Sequence, residues 1–257
     1  MKLITLISDW KLRDPYIGMM KGELYKAFPD ANVIDITHSI EKNNIMQTAF
    51  LLKNSFQSFP DETLHLILTA SINSYTSNPV LVKYEKHYFL GDDNGVFSLI
   101  TENNPIEKAW RFPDSMKEIS IPYKMIRMLQ WFYESELEQK AEDYPALQRK
   151  LISLPDYNAI ANVLKGKVVY IDSNCNAVTN IPASLFLEHV AGKRFTAKIG
   201  SRQHVKTNKF YKHYQANEDG IYLVINRLGY IEITIKDGAL AILTSLQIDD
   251  SIEIFIE

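Results

Sequence analysis

Leu3-Ile4-Thr5-Leu6-Ile7-Ser8-Asp9 is a short apolar, β-branched run that ends at an acid. Such a run predicts a buried strand. Asp14-Pro15 then predicts the start of a helix, with Asp14 as the cap and Pro15 as the first helical residue. Apolar spacing carries this helix to about Phe28, and Pro29-Asp30 ends it. The chain therefore begins with a strand followed by a helix.

The same alternation continues along the first half. Val33–Ile36 is predicted as a second strand, Ile45–Phe56 as a second helix and Thr63–Leu68 as a third strand. Because these crossovers are longer than a hairpin allows, they predict an α/β domain with a mostly parallel sheet. Val80–Tyr84 and His87–Leu90 are predicted as an antiparallel pair added to that sheet.

The second half has a different period. A helix is predicted from Tyr123 to about Glu142, whereas after Lys167 apolar residues alternate with polar ones. This alternation predicts strands, among them Tyr222–Ile225, Ile231–Ile235 and Ile252–Ile256. We place a domain boundary near residues 155–166, which gives an α/β domain at 1–160 and a smaller β-rich domain at 161–257.

Composition excludes several classes of protein. With 28 Lys+Arg against 31 Asp+Glu, the net charge of −3 does not favour polyanion binding. One Cys excludes a disulfide framework and multi-cysteine metal sites. No stretch predicts a signal peptide or a membrane span, so we expect a cytoplasmic protein. Only 10 residues are glycine, and no glycine-rich phosphate-binding motif occurs.

Two acids flank the turn after the first strand. Asp9 ends that strand, and Asp14 follows five residues later. Ligands collect at the carboxyl ends of parallel strands, so the two acids could bind a diol, an amine or a cation. The alternative is that Asp14 only caps its helix and Asp9 is a turn residue. Thr37-His38-Ser39, after the second strand, has the same two interpretations, a ligand site or a structural role, and a lone His in such a place is more often a structural hydrogen-bonding group.

The densest polar cluster in the second half is Asp172-Ser173-Asn174-Cys175-Asn176. Short acids and amides offer donors and acceptors that suit a zwitterionic ligand. The alternative is a turn whose side chains bond only their own backbone. No His pair has metal-ligand spacing, so no metal site is predicted.

A basic segment without any acid lies between Glu188 and Glu218. Its lysines and arginines are interleaved with Phe210, Tyr211 and Tyr214, a pattern that also suits single-stranded nucleic acid. The net charge favours a solvated loop instead, and we do not expect a nucleic-acid partner.

Several of these motifs, in one order from Ile4 to the C-terminus, resemble those of the S-adenosylmethionine (SAM) hydroxide adenosyltransferases, relatives of SAM-dependent fluorinases and chlorinases. The matching stretches are Thr5–Asp9, Asp14, Met20–Gly22, Val33–His38, Ala49–Leu52, Phe89, Asp93–Gly95, Val169–Asp172, Asn176, Val178–Ile181, Asn226 and Gly229–Ile233.

The resemblance implies an α/β adenosyl-binding domain and a C-terminal β-barrel domain in a homotrimer. The ligand would lie between the first domain of one subunit and the second domain of its neighbour. SAM would be the substrate or ligand, with no metal and no further cofactor.

The resemblance also implies roles for particular residues. Asp9 would hold the ribose hydroxyls, Asp14 and Asn94 would belong to the same substrate site, and Asp172 with Asn176 would hold the methionine amine and carboxylate. Tyr214 would stack on the adenine. Asn226 and the backbone near Leu228 would meet the adenine edge.

The chain departs from the family pattern where water is handled. The family's glycine-rich segment aligns with Ala70–Ser74 and its arginine with Ser77-Asn78, and the sequence has no arginine between Arg13 and Arg111. The family's His-Gly-Arg-Asp falls near Pro122–Met125, which has no histidine.

Among the water-handling groups, Asp9 alone remains as a catalytic candidate, and a carboxylate is a weak base at neutral pH. Two functions stay open. The first is SAM hydrolysis to adenosine and methionine by displacement at the ribose C5′, and the second is adenosyl binding by a catalytically impaired protein.

Overall fold

The computed structural model describes residues 2–70, 79–113, 121–151, 153–200 and 205–257, with no side-chain description of residues 121 and 122. The chain divides into two compact units, Met1–Ile152 and Ser153–Glu257, which we call the N-unit and the C-unit. Among the described residues, no helix has the length and apolar character needed to cross a membrane.

The N-unit consists of seven strands and five α-helices in its described part. The strands are β1 (Leu3–Ser8), β2 (Asn32–Thr37), β3 (Leu64–Leu68), β4 (Pro79–Tyr84), β5 (His87–Asp92), β6 (Lys108–Arg111) and β7 (Glu142–Asp143). The helices are α1 (Tyr16–Ala27), α2 (Ile45–Lys53), α3 (Val96–Ile100), α4 (Ile121–Tyr133) and α5 (Leu137–Lys140), with a 3-10 turn at Phe56–Ser58.

The N-unit sheet has the strand order β2-β1-β3-β5-β4-β6-β7. Its β2-β1-β3-β5 half is parallel, as the crossovers predicted. The β4, β6 and β7 strands pair antiparallel, so the sheet as a whole is mixed. Ile4 and Leu6 of β1 join one apolar cluster and Ile7 joins the other, because alternate side chains face opposite sides.

Two predicted helix boundaries differ from the structure. Helix α1 begins at Tyr16 with Pro15 in the cap position and no side-chain cap hydrogen bond, so the prediction that Asp14 caps this helix is wrong. The proline ring fits either the cap or the first helical position, and the sequence does not distinguish these one-residue shifts. The single helix predicted from Tyr123 is divided into α4 and α5.

The C-unit consists of nine strands and two short helices in its described part. The strands are β8 (Asp156–Asn158), β9 (Val163–Ile171), β10 (Ala177–Pro182), β11 (Phe195–Ile199), β12 (Val205–Thr207), β13 (Phe210–Tyr211), β14 (Ile221–Ile225), β15 (Tyr230–Ile235) and β16 (Ser251–Ile256). The helices are α6 (Ala183–His189) and α7 (Leu240–Thr244).

The C-unit sheet is a curled half-barrel with the order β12-β11-β16-β9-β10-β15-β14-β13, and β8 pairs with β9. The long β9 carries the curl, because residues 163–167 pair with β16 and residues 168–171 pair with β10. Apolar residues of alternate positions fill its concave side, among them Ile231, Ile233, Ile252 and Ile254. Polar residues at the intervening positions therefore face away from this core.

Candidate functional site

Asp9 lies directly after β1, at the carboxyl end of the parallel half of the N-unit sheet. Its Oδ2 accepts hydrogen bonds from the backbone N–H of Asn43 at 2.8 Å and of Ala70 at 3.2 Å. Ala70 has a φ of 58°, in the left-handed region that few residues other than glycine adopt. Two neighbouring loops thus hold this carboxylate.

Asn94 reaches the same edge of the sheet. Its Nδ2 donates to the carbonyl of Thr69 at 3.4 Å, and its Oδ1 accepts from the N–H of Val96 at 3.1 Å. Because Thr69 precedes Ala70, the structure brings Asn94 and Asp9 to adjacent positions after β3. Asp14 is exposed, and none of the hydrogen bonds among the described residues joins it to this edge.

His38 ties the loop after Asp9 to the end of β2. Its Nδ1 shares a 2.7 Å hydrogen bond with Ser8 Oγ, which also accepts from the Trp10 N–H at 3.3 Å. On its other side, Nε2 lies 3.1 Å from Asp35 Oδ1, near enough for electrostatic attraction, although the angle is not that of a hydrogen bond. The structural interpretation of His38 agrees with these contacts.

In the C-unit, Asp172 organises the turn between β9 and β10. Its Oδ1 accepts from the N–H groups of Asn174 at 2.9 Å and Asn176 at 2.7 Å, as an Asn-rich turn bonding its own backbone would. The Asn176 side chain goes further. Its Nδ2 donates to Asp172 Oδ2 at 3.3 Å, and its Oδ1 accepts from Thr234 Oγ1 of β15 at 2.8 Å.

Glu232, two residues before Thr234 on the same face of β15, is a buried acid that the sequence interpretation missed. It is 2% exposed and accepts a 2.6 Å hydrogen bond from the hydroxyl of Tyr214. Burial raises the pKa of Glu232, and burial together with the Glu232 contact raises the pKa of Tyr214. The nearby Asp172 charge adds to both shifts.

Asn226 closes the turn between β14 and β15. Its Oδ1 accepts from the N–H groups of Leu228 and Tyr230, both at 3.0 Å. The amides of Asn226 and Asn176 act against the effect of burial and lower the pKa of the Glu232 carboxyl. Glu232 is therefore linked to three residues that the sequence had indicated separately, by a hydrogen bond to Tyr214 and by electrostatic interaction with Asn176 and Asn226.

A pocket of about 560 Å³ lies beside this network. Its lining comprises Asn174, Asn176, Tyr214, Gln215, Ala216, Tyr222, Thr234, Ile235, Lys236, Asp237 and Gly238. The loop after β13 forms one side and the end of β15 the other. Tyr214 is 51% exposed while its hydroxyl is bonded inward, so its ring is available to a ligand. One acid, three amides and two tyrosines thus line a single pocket.

Two family models match the chain. The SAM hydroxide adenosyltransferase N-terminal domain matches residues 4–128, and the C-terminal domain of the same family matches residues 166–253.

The chain belongs to the SAM hydroxide adenosyltransferase family.

Two curated relatives carry the same name. The chain is 25% identical over 243 residues to the (R)-S-adenosyl-L-methionine hydrolase of Methanocaldococcus jannaschii, covering 90% of this chain and 88% of the relative. It is 23% identical over 110 residues to the protein of the same name from Thermus thermophilus, covering 43% of each.

Solved structures share the fold. A crystal structure of an uncharacterized conserved protein from Thermotoga maritima matches with a TM-score of 0.81 at 21% identity, covering 98% of this chain and 99% of that one. A conserved hypothetical protein from Thermus thermophilus matches with a TM-score of 0.74 at 19% identity, covering 99% of this chain and 100% of that one.

The departures from the family's water-handling pattern lie mostly beyond the described structure. Residues 71–74, Ser77-Asn78 and the side chain of Pro122 are outside the described residues. Lys124, near the family's His-Gly-Arg-Asp position, is fully buried on α4. Across the described ranges, no three His, Cys, Asp or Glu residues are grouped as metal ligands.

Two lysines of the basic segment have partners within the C-unit. The Lys209 ammonium pairs with Glu218, which also accepts from the Tyr211 hydroxyl. The Lys198 ammonium lies 4.4 Å from the centre of the Phe255 ring. Arg202 is outside the described residues. These contacts use positive charge within the C-unit.

Proposed function

We propose that this protein binds SAM and hydrolyses it to adenosine and methionine. The observation that carries the proposal is the convergence of Asp172, Asn176, Tyr214 and Asn226 around one buried acid beside a pocket. These residues come from three separate segments of the C-unit, and the family and its named relatives supply the ligand class.

The methionine end of SAM carries an ammonium and a carboxylate. The Asp172 carboxylate is the anion suited to the ammonium, and its position is fixed by two backbone N–H groups. The Asn176 amide can both donate and accept, which suits the neighbouring carboxylate. Tyr214 offers the adenine a half-exposed ring, since aromatic faces stack on bases.

The ribose end is assigned to Asp9. Both described hydrogen bonds to this carboxylate use Oδ2, so Oδ1 is the oxygen that we assign to the ribose hydroxyls. Asn94, from the loop after β5, lies near Asp9 through its hydrogen bond to Thr69 at the end of β3. We keep Asp14 as a member of this site as a proposal, since an exposed acid on the same loop can approach a bound ligand.

Hydrolysis would proceed by displacement. A water oxygen attacks the ribose C5′, the C5′–S bond breaks, its electron pair returns to sulfur as the thioether of methionine, and the water's proton passes to solvent. Because the sulfonium is already an activated leaving group, alignment and dehydration of the water supply most of the catalysis.

We further propose that the site is completed between protomers of a homotrimer. The Asp9 edge of one protomer would receive the ribose, and the pocket at Tyr214 of a neighbour would receive the adenine and methionine ends. Sedimentation equilibrium would give three times the mass of one chain, and a monomer that hydrolyses SAM would contradict this arrangement.

Chromatography of the products tests the activity. Purified protein incubated with SAM should release adenosine and methionine in equal amounts, and Asp9→Asn and Asp172→Asn should each lower that rate at least tenfold. Asp61→Asn is the matched control, because Asp61 is an exposed acid paired with Lys86. Release of adenosine no faster than without protein would reject the hydrolase.

A second candidate is an adenosyl-binding protein without turnover. It is favoured by the sequence between Arg13 and Arg111, which has no arginine where the family places its water-handling one. Calorimetry separates the two functions. Binding of SAM without adenosine release would support the binder, whereas no heat with SAM, adenosine or methionine would reject both.

A further inference from the structure

Glu232 is linked to residues that belong to different ends of the proposed ligand site. It accepts from the Tyr214 hydroxyl at 2.6 Å, and it lies on the same face of β15 as Thr234, which donates to Asn176 Oδ1 at 2.8 Å. Burial raises the pKa of Glu232, and the amides of Asn226 and Asn176 act against this shift. A buried carboxyl needs donors to offset its lost hydration. Here those donors are side chains that we assign to the adenine and to the methionine.

A second strand shows that this arrangement is not imposed by the local sequence. Ile252-Glu253-Ile254 of β16 repeats the pattern Ile231-Glu232-Ile233 of β15. Glu253 forms a 2.9 Å ion pair with Lys165 across to β9, and its side chain is 36% exposed. The same motif therefore gives a surface ion pair in one strand and a buried acid with three polar neighbours in the other.

We propose that Glu232 is a positioning residue that couples recognition of the adenine to recognition of the methionine end. This inference rests on the proposed function. The carboxyl directs the Tyr214 hydroxyl inward, which fixes the plane of the ring that the adenine would meet. On the same face of β15, Thr234 holds Asn176 beside Asp172, and the Glu232 carboxyl interacts with the Asn176 amide.

The contacts of Tyr214 and Thr234 allow the effect on adenine recognition and the effect on methionine recognition to be measured separately. Tyr214 reaches Glu232 from the loop after β13, and Thr234 reaches Asn176 from β15. Losing either hydroxyl should disturb one end only. Losing the Glu232 carboxylate should disturb both ends, because Tyr214 donates to this carboxylate and the Asn176 amide interacts with it.

Calorimetry with adenosine and with methionine, each measured separately on the full-length protein, tests the coupling. We expect Glu232→Gln to weaken both affinities about tenfold, which corresponds to one charge-assisted hydrogen bond. Tyr214→Phe should weaken adenosine only, and Thr234→Val should weaken methionine only. Glu253→Gln, the matched control in the repeated motif, should change neither.

The outcomes separate this inference from the proposed function. If the unmodified protein binds neither fragment nor SAM, the proposed function fails and this inference fails with it. If it binds them and Glu232→Gln weakens only one fragment, or neither, the coupling role alone is rejected. Thermal unfolding verifies the fold of each variant. Should Glu232→Gln not fold, Glu232→Asp replaces it with the same expected losses, because a carboxyl one methylene shorter withdraws from its three neighbours.

Discussion

A buried histidine network in the N-unit and the Glu232 network in the C-unit differ in what surrounds them. In the N-unit, Thr5 Oγ1 lies 2.7 Å from His65 Nδ1, and His65 Nε2 lies 3.1 Å from His87 Nδ1. Phe56 and Phe89 pack against these rings. In the C-unit, Glu232 is equally buried, yet its partner Tyr214 lines a pocket.

The difference shows that a buried polar group does not by itself mark a functional site. The two histidines satisfy one another inside an aromatic core, so their contacts stabilise the N-unit. The Glu232 network lies on the face of β15 opposite the apolar core and extends to a pocket in which a ligand can bind. Substitutions in the first network should change stability without changing binding, and substitutions in the second should change binding more than stability.

The largest effect is expected from His65→Ala. This change opens a cavity in the aromatic core and leaves Thr5 and His87 without their shared partner, so the N-unit should lose about 3–5 kcal/mol of stability. All three tryptophans, Trp10, Trp110 and Trp131, lie in the N-unit. Urea unfolding followed by tryptophan fluorescence therefore measures the stability of the N-unit selectively. Methionine affinity should be unchanged at a urea concentration where the variant is folded. A loss below about 1 kcal/mol would show that the histidine network is not structural.

Lowering the pH should destabilise the N-unit through its histidine network and stabilise the C-unit through Glu232. Burial lowers the pKa of His65 from 6.5 to about 3, and burial also lowers the pKa of His87. Between those pH values the unfolded chain binds more protons, so N-unit stability should fall as pH falls below 6.5, by about 1.4 kcal/mol per pH unit from His65. Burial raises the pKa of Glu232 above 4.5, so its contribution is lost as pH rises through the raised value.

Urea unfolding at successive pH values measures the N-unit slope through its tryptophans. His65→Gln, which can bond both neighbours but does not titrate in this range, should reduce the slope. An unchanged slope in that variant would assign the acid sensitivity to other groups.

Much of the fold follows from local pattern, and less of the site does. The strand at Leu3–Ser8 was predictable from its apolar run, and with it the position of Asp9 at the carboxyl end of a parallel sheet. Asn94 was grouped with Asp9 by the family resemblance and not by the strand pattern. The start of α1 was missed by one residue, since Pro15 is compatible with two positions.

Glu232 was not predictable for a different reason. Its strand has the same alternation as the strand with Glu253, and period two predicts an outward acid in both. What buries Glu232 is the loop with Tyr214, distant in sequence and attached by a side-chain contact. Local periodicity has no information about such a covering segment, so only the folded chain distinguishes the two acids.

Tyr214→Phe should have a smaller effect on stability than on binding. The change removes one hydroxyl and leaves the ring, so stability should fall by about 0.5–1.5 kcal/mol, the net contribution of a hydrogen bond. Because tryptophan does not report the C-unit, hydrogen exchange of its β15 peptides is the appropriate measurement. A loss comparable to that of His65→Ala would place Tyr214 in the core instead of at the pocket.

The smallest effect on stability is expected from Glu253→Gln. This variant shows how little an acid at the surface of the same half-barrel contributes. Its partner Lys165 is more than half exposed, and ion pairs at such surfaces contribute about 0–1 kcal/mol because solvent screens the charges and both side chains lose freedom. Exchange of β16 peptides should therefore match the unmodified protein within about 0.5 kcal/mol. A larger change would mean that the β16 acid is as integral to the half-barrel as Glu232, and that the contrast between the two Ile-Glu-Ile strands lies in ligand access alone.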